Sequence, residues 1–237
     1  MSLPKIASRD EWLAAREELL AEEKQLTRER DALSAKRREL PMFEVDKPYV
    51  FHGPEGEMRL LDLFGEHRQL IVGHFMFDPE WEDGCPSCSA GAEELSQGLL
   101  DHLAIRDTAF TYVSRAPLEK IERYKAKRGW DHPWVSSEGS DFNYDFDVTI
   151  DRSRGPAIYN FREWGDELLE GEYPGQSCFL RVDDRVFHTY SMYARGAETL
   201  GGSYYWLDLT ALGRQEEWEK PEGRSESARA AQPDFAS

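Results

Sequence analysis

From Ser8 to Leu40 the chain is dominated by Glu, Arg, Ala, Leu and Lys, with neither Gly nor Pro before Pro41, and this predicts one long helix. Ser8 followed three residues later by Glu11 has the pattern of a capping box at its start. Trp12, Leu19, Leu26, Leu33 and Leu40 recur every seven residues. The positions that would complete a coiled-coil seam hold Ala15, Glu22 or Glu23, Glu29 or Arg30, and Lys36 or Arg37. One apolar residue per heptad makes a narrow stripe, which is expected to pack on the chain's own body or on a partner, with a homodimer through the helix and a free arm as the alternatives.

Beyond Pro41 the rhythm changes toward strands. Tyr49-Val50-Phe51, a turn at Gly53-Pro54-Glu55-Gly56, Met58 to Phe64 and the apolar run Leu70 to Phe77 read as β-structure. A polar loop, Asp78 to Gly84, leads to the cysteines, and Ser89 to Ala104 has helical composition weakened by Gly91 and Gly98. Phe110 to Ser114 then reads as a strand, Pro117 to Arg128 as a helix and Trp134 to Ser137 as another strand. This alternation predicts an α/β domain with parallel strands at the centre of its sheet. Gly139 to Gly175 reads as a long connection with a short helix around Trp164 to Leu169. Two β-rich runs, Ser177 to Val182 and Arg185 to Tyr190, flank Asp183-Asp184 and predict a hairpin. Tyr204 to Leu212 is a last strand or helix, and the chain from Glu219 onward reads as a disordered tail. The expected organisation is a charged helix over residues 1–41, an α/β domain over 42–218 and the tail over 219–237.

A chain of 237 residues with 40% hydrophobic content can bury about 70–75% of its unfolded surface in one core. No run reaches the roughly 20 apolar residues of a membrane span, and Met1 to Asp10 lacks a secretory pattern, so a cytoplasmic protein without a membrane partner is expected. The net charge of −17 repels phosphate backbones, which argues against nucleic acid as a partner. The chain has three cysteines, too few for a disulfide scaffold and arranged so that two form a Cys-x-x-Cys pair.

That pair, Cys85-Pro86-Ser87-Cys88, follows a buried strand and a loop and opens a helix. The unpaired N–H groups and positive dipole end of a helix N-terminus favour thiolate at Cys85. Cys88, one turn along, is placed to attack a mixed disulfide formed on Cys85. Pro86 suits an early helical position because its missing N–H would have been unpaired. Redox chemistry, a metal site and inert packing are the competing readings. Zinc commonly takes four ligands, and the next cysteine, Cys178, lies ninety residues further on. Cys178 is a third thiol, a third ligand or a small core residue.

The order of elements resembles the thioredoxin superfamily, and in layout its peroxiredoxin branch. Phe75 to Pro86 resembles the strand and loop that lead to the reactive cysteine of that branch, Phe110 to Arg128 its next strand and helix, and Phe179 to Tyr190 its terminal hairpin. Much of residues 12 to 217 is similar to a bacterial thioredoxin-like family called domain of unknown function 899. The similarity rests on Phe75-Met76-Phe77, Gly84-Cys85-Pro86-Ser87-Cys88-Ser89, Val113 to Leu118, Pro133 to Ser137, Asp141 to Phe146 and Leu207 to Thr210. The resemblance implies a thioredoxin-like fold of peroxiredoxin-like layout, a central mixed sheet flanked by helices. Where that branch carries a proline and a hydroxyl residue, seven and three positions before its cysteine, this chain has Asp78 and Glu82, so peroxide reduction is expected to be poor. Thioredoxins also place a proline just before the strand that faces the dithiol. Here Gly175 to Cys178 contains none, and Pro174 stands slightly early.

His74 is a candidate proton acceptor for Cys88, against a satisfied core histidine. Arg115 is a candidate holder of the Cys85 thiolate or an anionic substrate, against a salt bridge. Trp81, Trp130, Trp134, Phe142 and Tyr144 are candidates to wall an apolar pocket, against ordinary core packing. Asp141, Asp145, Asp147 and Asp151 lack the Gly and Glu of a calcium loop. The expectation is a thiol-disulfide oxidoreductase or thiol-dependent reductase without a cofactor, working with a dithiol reductant and a thiol or disulfide substrate. The alternatives are a protein holding Cu(I) or Zn through Cys85 and Cys88 with Cys178 or His188, and a redox sensor without turnover.

Overall fold

The computed structural model describes residues 3–200, 202, 207–212, 220 and 222. The chain divides into two units, Met1–Pro41 with Leu207–Ala230, and Met42–Trp206 with Ala231–Ser237.

The first unit contains α1 (Arg9–Arg38). Its start is the expected capping box: the Glu11 N–H donates to Ser8 Oγ at 3.3 Å and the Ser8 N–H donates to Glu11 Oε2 at 2.8 Å. Asp10 and Glu11 in the first turn, with Lys36, Arg37 and Arg38 in the last, complement the helix dipole. The helix buries none of its residues, and its stripe from Trp12 to Leu40 stays about half exposed. Leu207–Leu212 holds only a helical residue and turns. Residues 203–206 and, save for 220 and 222, the tail lie outside the described residues.

The second unit runs β1 (Phe43–Glu44), β2 (Val50–Gly53), β3 (Gly56–Arg59), β4 (Gln69–His74), α2 (Pro86–Glu93), α3 (Gln97–Ala104), β5 (Thr108–Ser114), α4 (Leu118–Arg128) and β6 (Trp134–Ser136). It continues with α5 (Phe142–Asp145), β7 (Thr149–Ile150), β8 (Ala157–Tyr159), β9 (Arg162–Trp164), β10 (Gly171–Glu172), β11 (Gly175–Val182) and β12 (Arg185–Tyr193). One sheet has the order β1-β12-β11-β4-β5-β6-β2-β3. β4, β5 and β6 are parallel, while β11 lies antiparallel to both β4 and β12. A parallel βαβ unit whose first strand takes the near strand of a following hairpin defines the thioredoxin fold, here with an added N-terminal hairpin. The fold class expected from the sequence is the one observed.

β4 is apolar on both faces because both are covered. One face packs Leu70 and Val72 with Phe51, Phe64, Val113, Phe142 and Phe179. The other carries Phe75, Phe77, Tyr112 and Trp134 with Ala92 of α2 and Ile121 of α4.

Three expected segments differ. The strand from Met58 stops at Arg59, and Leu60–Phe64 is a 3₁₀ helix. Asp62 accepts the Arg59 N–H at 2.8 Å, and the turn directs Leu60, Leu63 and Phe64 inward, an i, i+3 set that alternation would have split. Ser89 to Ala104 is two helices, divided where Ser96 Oγ accepts the Leu99 N–H at 3.2 Å and caps α3. Gly91 and Gly98 lie within the helices rather than at the break. The long connection contains α5 and the pairs β7–β10 and β8–β9, and Trp164 ends a strand instead of opening a helix. Asn160 and Phe161, at φ 52° and 60°, make the two-residue turn between β8 and β9, a turn usually signalled by a glycine that this one lacks. Among the described residues no helix is long and apolar enough to cross a membrane.

Candidate functional site

β4 delivers the chain to the sheet's carboxyl edge, and the loop after it is tied down at several points. The Trp81 N–H donates to the Asp78 carbonyl at 3.1 Å, and Lys120 Nζ donates to the carbonyls of Pro79 and Trp81 at 2.6 and 2.8 Å. Trp81 thus shapes the loop through its backbone, and the residue is 38% exposed. Gly84 is buried between rings: a Cβ there would lie 2.7 Å from Phe75 and 3.0 Å from Tyr124, so only glycine lets the backbone pass. The Cys85 N–H then donates to the Met76 carbonyl at 3.0 Å.

Cys85 is the N-cap of α2, with Pro86 at the first helical position. Its carbonyl accepts from the Ser89 N–H and from Ser89 Oγ, both at 2.9 Å, and Ser89 Oγ pairs with the Tyr124 hydroxyl at 2.8 Å. The Cys88 thiol donates to Cys85 and, against the opposing effect of burial and with help from the N–H groups of Cys88 and Ser87 and from the Ser87 hydroxyl, lowers the Cys85 pKa to about 6. The same hydrogen bond, with burial and the Cys85 charge, holds the Cys88 thiol well above its ordinary value. The two sulfurs are therefore inequivalent, the first a thiolate near neutral pH and the second a protonated donor.

Cys88 packs with the Phe75 and Tyr112 cluster and borders a cavity of about 550 Å³. Ser87, Pro174 and Gln176 share its wall. By the sequence Pro174 stands slightly early, but β11 begins at Gly175, opposite His74, so the proline stands immediately before the strand beside the dithiol. The signal was the strand start, misplaced by two residues. Of the five aromatic candidates, Trp134 is a core residue whose Nε1–H donates to Ser114 Oγ at 3.0 Å, and Phe142 belongs to the opposite core cluster. Phe75, Phe110 and Tyr112 line the cavity instead.

The His74 side chain is not brought to Cys88. It packs against Phe142 and Phe146 across the sheet and makes a bond to Ser177 Oγ at 2.8 Å. From there the chain runs to Ser191 Oγ at 2.8 Å and to His188 Nε2 at 2.7 Å. His74 Nδ1 is buried without a partner, and His188 donates to the Tyr190 carbonyl. We assign the proton of His74 to Nε2, so that each group donates to the next and ends at an accepting His188 Nε2, which leaves an unpaired acceptor rather than an unpaired N–H. Burial, with the His188 charge, lowers His74 to about 3, and burial lowers His188. Above pH 6.5 both imidazoles are neutral in folded and unfolded chains. Below it the unfolded chain binds protons that the folded chain refuses, so stability falls as pH drops from 6.5 toward 3, by at most about 1.4 kcal/mol per pH unit per histidine. Urea melts between pH 7.5 and 5 are expected to show this slope and His74→Asn to lessen it by up to about one proton. An unchanged slope would place the titration elsewhere.

Arg115 Nη1 donates to Glu172 Oε1 at 2.7 Å and to Asp78 Oδ2 at 3.4 Å. It is thus committed to two carboxylates rather than to the Cys85 thiolate. Cys178 pairs with Ile71, three positions down the strand from the Gly175–His74 pair, and burial pushes its thiol up to about 11. Among the described residues no three His, Cys, Asp or Glu side chains are grouped to hold a metal, so neither Cys178 nor His188 completes a ligand set with the dithiol. The acidic run is held by cations: Lys47 lies 2.9 Å from Asp141 and 2.6 Å from Asp145, and Arg154 pairs with Asp141.

Fold and site together define a thioredoxin-fold protein with a helix-capped Cys-Pro-Ser-Cys pair. The chain belongs to the family described as Bacterial protein of unknown function (DUF899), whose model matches residues 1–231. No curated protein sequence matches it. Among solved structures it is similar to a PrxQ variant of Xylella fastidiosa, at 15% identity and a TM-score of 0.45, over 68% of this chain and 91% of that one. It is similar also to the bacterioferritin comigratory protein of Xanthomonas campestris, at 15% and 0.44 over 68% and 94%. A third is the peroxidoxin BcpB of Mycobacterium tuberculosis, at 14% and 0.42 over 68% and 90%. The fold assignment rests on the strand order and directions given above.

Proposed function

We propose that this protein is a thiol-disulfide oxidoreductase or thiol-dependent reductase, with Cys85 as nucleophile and Cys88 as resolving thiol. The observation that carries the reading is the place of Cys85 as the N-cap of α2, one turn before Cys88, with its pKa lowered to about 6 by the Cys88 thiol and the N–H groups of the first turn. A thiolate so placed attacks a substrate sulfur and expels a thiolate; Cys88 then loses its proton, attacks Cys85 and expels the second product. The resulting disulfide is reopened by an external dithiol reductant. The remaining expectations for partners follow as proposals: no nucleic acid, no membrane, a cytoplasmic setting, and a homodimer through the stripe of α1.

Mass spectrometry of thiol-labelled protein tests the reading. After a small disulfide oxidant, Cys85 and Cys88 are expected as one disulfide and Cys178 as a labelled free thiol; after a dithiol reductant all three should label. Hydrogen peroxide should oxidise the pair far below ~10⁶ M⁻¹s⁻¹, a rate within the ordinary range of specific encounters, because Asp78 and Glu82 replace the proline and hydroxyl of the peroxiredoxin pattern. A pair that never closes would overturn the assignment.

A further inference from the structure

We propose that the cavity beside Cys88 is the substrate pocket and takes a neutral, largely apolar, low-molecular-weight disulfide. This rests on the dithiol reading above and adds the substrate class.

The cavity's volume, about 550 Å³, lies in the range of about 300–1,000 Å³ that suits small molecules rather than a protein surface. Leu95, Leu99, Phe110 and Tyr112 supply apolar wall, and Ser87 and Cys88 stand in the same wall. An apolar body lodged there reaches Cys88, one helical turn along from Cys85. The charge of the occupant follows from two facts. Glu94, which accepts from the Gly202 N–H, lies in the wall, and the whole chain carries −17, so an anion is repelled. An ammonium group would lose its hydration against the apolar lining.

The leaving group decides between a disulfide and a hydroperoxide. A departing thiolate, with a parent pKa of about 8.5, needs little help, whereas an alkoxide or hydroxide, with parents near 16, needs a cation or donor array. Arg115 is held by Glu172 and Asp78, so it is not available as that cation. In the step, the Cys85 thiolate attacks one sulfur of R–S–S–R, that bond breaks, and R–S⁻ takes a proton from water. Cys88 gives its proton to solvent and attacks Cys85, and the second R–S⁻ leaves and is protonated. Two electrons pass from the dithiol to the substrate, giving two R–SH and the Cys85–Cys88 disulfide, and an external dithiol returns the electrons.

The test compares two neutral probes that differ only in methylenes, bis(6-hydroxyhexyl) disulfide and bis(2-hydroxyethyl) disulfide, as oxidants of the reduced full-length protein. Each buried methylene contributes about fourfold, so partial burial of one arm should make the longer probe faster in kcat/KM by about 30-fold or more. Gly91→Leu supplies the second arm, since Gly91 borders the cavity and a Cβ there meets nothing within 4 Å. The ratio of the two rates, taken within one sample so that inactive protein cancels, should fall to within about threefold of unity. If the short probe closes the pair but the long one is no faster, or if Gly91→Leu keeps the ratio, the pocket assignment is wrong while the dithiol reading stands. If neither probe closes the pair, both fall. Faster oxidation by cumene hydroperoxide than by the long probe would replace the disulfide as substrate class.

Discussion

Iodoacetamide should modify the reduced protein first at Cys85, with a rate that follows a titration near pH 6, while Cys88 reacts slowly up to alkaline pH. At pH 7 a thiol of pKa about 6 is some nine-tenths ionised, against about 3% for a free cysteine. The same lowering weakens the sulfur as a nucleophile, by about tenfold over 2.5 units at a Brønsted slope of 0.4–0.5. The net rate advantage is therefore only about threefold, and the position of the pH profile, rather than the absolute rate, identifies the thiolate. Cys85→Ser should lower disulfide reduction by about 10³-fold or more, because it removes the attacking atom. Cys88→Ser should act differently. It leaves attack possible but removes the resolving sulfur, so mixed disulfide on Cys85 accumulates. A profile centred on Cys88, or a Cys85 titration that stays above pH 8 in the unmodified protein, would reverse the two roles.

Much of this site was readable in the chain because its parts are local. A strand, a loop and a proline at the first helical position lie within seventeen consecutive residues, from Leu70 to Pro86, and each is dictated by neighbours in sequence. The capping box of α1 is legible for the same reason. What the sequence hid depends on partners far along the chain. His74 looks like a proton acceptor on a strand that ends at the dithiol, but the pleat turns its ring to the opposite face, where Ser177 and Ser191 come from two strands about a hundred residues away. Pro174 is hard to place from sequence because a strand boundary two residues off separates a loop proline from one that lines the cavity beside Cys88. The Gly139 to Gly175 connection is built from pairs of strands too short for period-two alternation to register, and one of them turns on Asn160-Phe161, where Phe161 takes a positive φ without being glycine. Arg115 illustrates the largest gap: nothing near it in sequence announces that its partner is Glu172.

That pair should respond strongly to mutation. Glu172 has a side chain only 1% exposed, facing Arg115 at 2.7 Å and accepting from Thr149 Oγ1 at 3.0 Å on both oxygens. Burial raises its pKa, opposed by Arg115 and by the Thr149 hydroxyl. Arg115→Met keeps the aliphatic volume but removes the countercharge, leaving a carboxylate that must either stay charged in an apolar setting or take up a proton. Breaking one side of a buried pair costs about 3–5 kcal/mol, and because the Arg115 side chain is 22% exposed we expect the lower end, about 3 kcal/mol. For a chain of this size that corresponds to a fall of about 10 °C in Tm. The penalty should depend on pH with a definite sign. Without the guanidinium the folded-state pKa of Glu172 rises further above its unfolded value, so the variant is relatively most stable below pH 4.5, where the carboxyl is protonated in both states, and loses stability as pH rises through the folded pKa. The double variant Arg115→Met with Glu172→Gln should recover most of the loss, since an amide can keep the Thr149 bond without a charge. Equal destabilisation at pH 4 and pH 7.5, or a double variant no more stable than Arg115→Met alone, would show that Arg115 acts through its packing on Tyr144 rather than through the buried charge.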